Sequence, residues 1–197
     1  MLEIEGFILV GGASSRMGED KARLTLGGQT FVERIAHALS SVTDRVNTVG
    51  AKTEDNFCGL PNVPDVYERW GALGGLHGAL TACKAEWAAV AACDLPFVTG
   101  EFFTRLAQER DDFDAIVPVQ MDGRVQPLCA LYRIEVCRER AHELIMNGER
   151  RPRALLQSVR TRHLAPHEWS NLNNATLFFQ NINTREDYFK AVLSTEY

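Results

Sequence analysis

Phe7 to Lys21 reads F-I-L-V-G-G-A-S-S-R-M-G-E-D-K, and the rest of the chain is organised around it. The apolar run Phe7–Val10 carries no polar alternation, which predicts a strand buried on both faces. It stops at Gly11-Gly12, where the missing Cβ atoms let the backbone turn sharply and lie against a ligand. Amides turned into such a loop form a concavity that attracts anions. Ser14 and Ser15 add hydroxyl donors, Arg16 a planar fork suited to phosphate oxygens, and Lys21 a point charge. The stretch therefore suits a polyphosphate. Neither of the commoner phosphate loops is present. Adjacent Gly11 and Gly12 break G-x-G-x-x-G, and the spacing from Gly12 through Gly18 to Lys21 breaks G-x-x-x-x-G-K-[ST]. The plainer alternative is a strand-to-helix turn, which would need fewer glycines and cations than this loop holds.

Beyond the loop, Ala22–Leu26 reads as extended and Gly27-Gly28 as a turn. Thr30 with Glu33 is an N-cap signature for a helix through about Leu39. Val46–Val49 is the second strand, and Gly59–Pro64 holds a short extended segment and a turn. Gly71–Leu80 has glycines at positions 71, 74, 75 and 78, too many for a helix chosen on propensity. They suit either a helix start pressed against a flat ligand or a tight helix–sheet contact. Trp87–Cys93 is a central strand stopped at Asp94-Leu95-Pro96, and Thr99–Glu101 opens a helix. Ala115–Val119 is a strand, and Asp122-Gly123 marks a hairpin that adds an antiparallel strand to the sheet. Ile134–Met146 is a helix ended by Asn147-Gly148, followed by a short helix Ala154–Val159. Leu177–Ile182 reads as the last strand and Arg185–Leu193 as the last helix. This alternation predicts an α/β fold, a three-layer α/β/α sandwich with a Rossmann-like, mainly parallel sheet.

The 197 residues suit one domain with a substantial core. A net charge of −5 argues against broad electrostatic binding of nucleic acid. No run approaches the roughly 18 apolar residues of a membrane span. The acidic start, M-L-E-I-E-G, is unlike a signal peptide, so a cytoplasmic protein is expected. Cys58, Cys83, Cys93, Cys129 and Cys137 are odd in number and irregular in spacing, and read as small apolar core residues in a reducing compartment. His163 and His167 sit four apart, but Pro166 between them breaks a shared helical face, and no zinc site is expected.

Asp94 follows a strand, and the C-terminal edge of an open α/β sheet is where ligands bind. A hard oxygen donor there suits Mg²⁺ bridging to phosphates; alternatively Asp94 is a turn or helix-capping aspartate. Asp65 can accept two hydrogen bonds from guanine N1–H and amino group, or bind a ribose hydroxyl, or simply close a turn after Pro64. Arg150, Arg151 and Arg153 collect fork-type donors for the phosphate of a second substrate, or form a solvated basic turn. Asn181 and Asn183 end the expected last strand at the ligand edge, while Thr184 with Asp187 reads as a helix cap.

Gly11–Lys21 resembles the G-G-x-S-x-R-M-G-x-D-K signature of the molybdenum cofactor guanylyltransferases, the molybdopterin-guanine dinucleotide synthesis protein A family. The fold this implies is the nucleotide-diphospho-sugar-transferase type. R-M-G and the lysine are shared with cytidylyl and sugar-nucleotide enzymes, whereas the double glycine and Asp20-Lys21 lean toward the guanylyl branch. Further segments extend the resemblance: Asp65, G-A-L-G-G from Gly71, C-D-L-P at Asp94, Gln126-Pro127, G-E-R-R from Gly148 and N-I-N-T from Asn181. It implies transfer of GMP from GTP to the terminal phosphate of molybdopterin, with release of pyrophosphate and Mg²⁺ as cofactor. Arg16, Lys21 and Asp94 are implied as catalytic, and Asp94 as the metal ligand. Leu9, Val10, Gly11, Gly12, Lys21, Asp65 and Asp94 are implied for the nucleotide, and Gln126, Arg150, Arg151, Asn181 and Asn183 for the acceptor. The nucleotide part is expected over residues 1–100 and the acceptor part over 101–197. One departure stands out: relatives carry an asparagine after the second strand, where this chain has Val49 before Gly50. Implied partners are GTP, the molybdenum cofactor, other cofactor-biosynthesis proteins and apo-molybdoenzymes, with no nucleic acid and no membrane. Three alternatives stand beside it: a cytidylyl or sugar-phosphate nucleotidyltransferase of the same fold, a non-catalytic nucleotide-binding regulator built on that fold, and an assembly factor that hands the cofactor to a molybdoenzyme, a role compatible with catalysis.

Overall fold

Continuous apolar segments dictate the centre of the molecule. β1 (Ile4–Leu9) and β6 (Trp87–Ala92) are buried almost end to end and pair in parallel, with Ile4 opposite Trp87 and Leu9 opposite Ala92. The computed structural model describes residues 3–11, 21–51, 55–67 and 69–195. The other strands among them are β2 (Thr25–Leu26), β3 (Gln29–Thr30), β4 (Val46–Val49), β5 (Asn62–Val63), β7 (Ala115–Pro118), β8 (Cys129–Arg133) and β9 (Thr161–Leu164). The helices are α1 (Phe31–Leu39), α2 (Gly71–Ala82), α3 (Gly100–Gln108), α4 (Ile134–Met146), α5 (Pro152–Ser158) and α6 (Arg185–Thr195).

The main sheet has the order β5-β4-β1-β6-β8-β7-β9. Its pairs are parallel except that β8 runs antiparallel to both β6 and β7. Alternation along β1 sorts the two faces. Ile8 packs into a core with α1 and α3, while Phe7 and Leu9 pack into a core with α2, α4 and α5. A smaller core joins Leu24 and Leu26 of the β2–β3 ribbon to Phe31, Phe97, Ile182 and Ala191 of α6. The result is the three-layer sandwich with a mainly parallel sheet.

Local chemistry explains three of the helix ends. Thr30 caps α1 reciprocally: its hydroxyl accepts from the Glu33 amide, and the Glu33 carboxylate accepts from the Thr30 amide at 2.6 Å. At the end of α4 the Gly148 amide donates to Ile145 and the Glu149 amide to Leu144, the paired bonds that close a helix on a left-handed glycine. α5 begins at Pro152, two residues earlier than expected, because proline suits a first helical position.

Four expectations are corrected. Ala22 and Arg23 belong to a 3-10 turn, Lys21–Arg23, and only Thr25–Leu26 is extended. Leu177–Ile182 forms no strand. A 3-10 turn, Ala175–Leu177, is followed by Phe178 and Phe179, whose rings pack edge-on and stacked around Trp169 and Phe102. The sheet position beside β7 is taken instead by β9, the unexpected seventh strand. Cys58 is exposed and not a core residue, whereas Cys83, Cys129 and Cys137 are buried.

Candidate active site

The parallel strands deliver their C-terminal ends to one edge. There the Val10 amide donates to the Val49 carbonyl, the Gly50 amide to Val63, and the Cys93 amide to Leu9. These bonds knit the exits of β1, β4, β5 and β6 into one rim. Because β8 runs in the opposite sense, its beginning lies at the same rim, and the Ala92 amide donates to Leu128 at 2.8 Å.

A cavity of about 750 Å³ opens along this edge. From β1 it is lined by Leu9, Val10 and Gly11, and from the next two exits by Val49 and Asp65. Arg69, Gly71, Ala72 and Gly75 line it from the start of α2, and Ala92, Cys93 and Asp94 from the end of β6. Lys21, Gln126, Leu128 and Asn181 complete the wall. Its size is that of a small-molecule site.

Gly11 is fixed by packing. A Cβ there would lie 2.9 Å from the Gly50 carbonyl oxygen, so the two backbones meet with no room for a side chain. Gly50 itself has φ +78°, and the Asp65 carboxylate sits within 3.3 Å of where its Cβ would be. The glycines of α2 divide the two expectations between them. Gly71 and Gly75 line the cavity, while Gly74 and Gly78 make close contacts, with Trp70 and Val49 respectively.

Lys21 and Asp94, distant in sequence, face the same space. The Lys21 ammonium donates to Asn183 Oδ1 at 2.6 Å, and the Ile182 amide donates to the Asp94 carbonyl at 3.1 Å. The segment Asn181–Asn183 thus ties the loop side to the β6 side although it forms no strand. Removal from water pushes the Asp94 carboxyl above its ordinary pKa, and the Lys21 charge works against that rise. Among the described residues no group of three or more His, Cys, Asp or Glu side chains is placed to hold a metal ion. A cation shared between one carboxylate and substrate phosphates needs no such cage, and Asp94 has the donor type for it.

Of the expected site residues, Leu9, Val10, Gly11, Lys21, Asp65, Asp94, Gln126 and Asn181 line the cavity, and Asn183 holds Lys21. Gly12, Ser14, Ser15, Arg16 and Gly18 lie outside the described residues. Arg150 and Arg151 are not in the wall. The Arg150 guanidinium lies 4.7 Å over the Trp70 ring, and Arg151 pairs with Glu149 at 2.8 Å. That pairing, together with the Arg150 and Arg151 amides, holds the Glu149 carboxyl down to about 2. Arg69 was not expected from the sequence; its only signal is its place just before the glycine-rich helix.

Residues 6–165 match the MobA-like NTP transferase domain family. Two curated relatives, each named probable molybdenum cofactor guanylyltransferase, align over almost their whole length. One from Bacillus cereus is 33% identical over 94% of both chains, and one from Bacillus cytotoxicus is 30% identical over 95% of this chain and 96% of its own. The chain belongs to the molybdenum cofactor guanylyltransferase family. Solved structures agree on the fold of this nucleotidyltransferase. Molybdopterin-guanine dinucleotide biosynthesis protein A from Archaeoglobus fulgidus superposes with a TM-score of 0.82 over 98% of both chains at 23% identity. A 4-diphosphocytidyl-2C-methyl-D-erythritol synthase from Anaerococcus prevotii gives 0.70 over 100% of this chain and 99% of its own at 14% identity. No helix among the described residues is long and apolar enough to cross a membrane.

Proposed function

We propose that this cavity transfers a guanylyl group from GTP to the terminal phosphate of molybdopterin. An oxygen of the acceptor phosphate attacks the α-phosphorus of GTP, the bond from that phosphorus to the bridging oxygen breaks, and pyrophosphate leaves. The attacking oxygen is already anionic, so no strong base is required. What is required is to hold two polyanions together and to neutralise the leaving group. The observation that carries the reading is the meeting of Lys21, Asp94, Gly11 and Asp65 around one cavity.

Lys21, with Arg16, is assigned to the triphosphate, where its charge opposes the negative charge developing on the bridging oxygen. The Gly11 and Gly12 amides are assigned to phosphate oxygens, and Leu9 and Val10 to the flank of the base. Asp65 accepts from guanine N1–H and amino group, which cytosine does not offer in the same pattern. Val49, in place of the asparagine expected of relatives, presents an apolar wall and leaves Asp65 as the polar contact with the base. Asp94, an oxygen donor beside Lys21, would hold Mg²⁺; when bound, the ion supplies Lewis-acid neutralisation of phosphate oxygens. Gln126, Asn181 and Asn183 are assigned to the acceptor, with Arg150 and Arg151 beyond the wall to receive its outer part. Residues 1–100 thereby serve the nucleotide and 101–197 the acceptor. Five free cysteines suit a reducing, cytoplasmic setting. Cofactor-biosynthesis proteins and apo-molybdoenzymes are proposed as the partners that supply the acceptor and take the product.

The test is pyrophosphate release by the full chain with Mg²⁺ and molybdopterin, comparing GTP with CTP. GTP is expected to be preferred at least about fivefold, since a buried acceptor left unpaired by the wrong base costs about 1–3 kcal/mol. Turnover with CTP but not GTP would make this a cytidylyl enzyme. GTP binding without pyrophosphate release from any acceptor would make it a regulator.

A further inference from the structure

Arg69 departs from what a neighbouring turn would select. Its backbone sits at φ +59°, the left-handed region that a side chain with a Cβ rarely adopts and glycine adopts freely. An arginine kept in such a conformation points from strain to use. Its neighbour Trp70 is locked: the indole N–H donates to the Glu149 carbonyl at 2.7 Å, and the Arg150 guanidinium covers the ring. A Cβ on Gly74 would come within 2.8 Å of the Trp70 Cβ, so that side chain has no room to shift toward α2. On the other side the Trp70 amide donates to the Tyr67 carbonyl, and the Tyr67 hydroxyl meets His142 Nδ1 at 2.8 Å. Trp70 and Tyr67, on either side of Arg69, are therefore both anchored, and Arg69 lines the cavity between them.

Three other cations among the described residues near this site have partners. Lys21 bonds Asn183, Arg150 lies on Trp70, and Arg151 pairs with Glu149. Among the described residues Arg69 has no hydrogen-bond or ion-pair partner, yet it lines the cavity beside Gly71 and Ala72. A planar, permanently charged fork with its donors unfilled is suited to phosphate oxygens. We propose that Arg69 is a phosphate-binding residue of this cavity, closing on a phosphate group of the bound substrate. This deepens the guanylyl-transfer reading and rests on it. The phosphate is either in the nucleotide tail or on the pterin acceptor, and the same experiment separates the two.

Arg69→Gly deletes the guanidinium while relieving the left-handed backbone, so binding and folding are expected to move in opposite directions. The variant should keep or raise Tm. It should weaken the Kd for GTP, or raise KM for the pterin acceptor, by roughly ten- to a hundredfold, the size of a charge-assisted hydrogen bond. Guanosine, which lacks phosphate, should bind wild type and variant alike, and Arg69→Lys should recover part of the loss. A loss confined to GTP assigns the nucleotide tail, and one confined to the acceptor KM assigns the acceptor phosphate. Unchanged constants for both substrates overturn the proposal. So does an equal loss for guanosine, which would place the contact on the base, or a Tm that falls together with affinity, which would make Arg69 structural. If wild type neither binds nor turns over GTP, the guanylyl reading fails by itself. Inorganic pyrophosphate then serves as the probe, and its equal affinity for wild type and Arg69→Gly would remove the clamp as well.

Discussion

In the half of the sheet formed by β5, β4, β1 and β6, all strands run parallel and stop at one edge; in the other half, β8 runs against both β6 and β7. The first half sends its strand exits, carrying Gly11, Gly50, Asp65 and Asp94, to a common rim. The second half contributes only Gln126, Leu128 and Asn181 to the cavity wall among the described residues. What it supplies is packing: Trp169, Phe102 and Phe178 are fully buried and in ring contact. The difference teaches that parallel strand ends gather chemistry, because their loops all open the same way, whereas the reversed strand trades loops for closure of the core. Substitutions at the cavity-lining strand exits of the first half should therefore cost reaction rate, and those in the aromatic core of the second half should cost stability.

The sharpest way to break this division is the aromatic cluster. Trp169→Ala is expected to lose about 3–5 kcal/mol of stability, the usual cost of emptying a large buried aromatic site. Denaturant unfolding measures it, and the folded fraction should bind GTP as before. A variant that kept its stability but lost GTP affinity would erase the contrast. Lys21→Ala is the converse: about 3–4 kcal/mol of transition-state stabilisation, seen as a drop of roughly 10²–10³ in kcat, with Tm little changed. Near-normal turnover would take Lys21 out of the mechanism.

Asp94→Asn sharpens the comparison further. Burial raises the folded-state pKa of this carboxyl above its unfolded value, and Lys21 only partly offsets the rise. A carboxyl raised in this way costs stability at neutral pH, and the cost fades as pH falls through the folded-state value. Asp94→Asn should therefore raise Tm near neutral pH, with the gain shrinking on acidification, while Mg²⁺-stimulated pyrophosphate release is abolished. A lower Tm at neutral pH, or undiminished metal stimulation, would show that the carboxylate serves elsewhere. The smallest effect is expected at Thr30→Ala in the first half. Loss of the α1 cap should cost about 1 kcal/mol, read by thermal unfolding, with kcat unchanged.

Elements with strong local signals were legible in the chain. Val46–Val49 and Ile134–Met146 have the predicted ends, the cap at Thr30 is reciprocal as its spacing implied, and Trp87–Ala92 is the buried strand its apolar run suggested. Thr161–Leu164 was not legible, because an edge strand buries only one residue fully, Leu164, and T-R-H-L shows no apolar alternation. Leu177–Ile182 misled for the opposite reason. Phe178 and Ile182 are buried and Leu177 and Phe179 partly so, but around Trp169, Phe102 and α6, and not in a sheet, and hydrophobicity alone does not separate those fates. The basic turn at Arg150 and Arg151 was legible as a cluster, but its place outside the cavity wall was not: Arg151 pairs with Glu149 two residues away, while Arg150 lies on Trp70, a partner that only folding brings near.

The chain by itself determined the opening strand, the double glycine and its cations, the alternation of elements and the carboxylate at the end of β6, because these depend on short-range periodicity and backbone sterics. Tertiary structure alone decided that Asn183 reaches Lys21, that Gly11 closes on Gly50, and that Arg69 stands at the cavity wall while Arg150 turns away onto Trp70. Those outcomes depend on which distant segments compete for the same space and charge, and no local pattern carries that information.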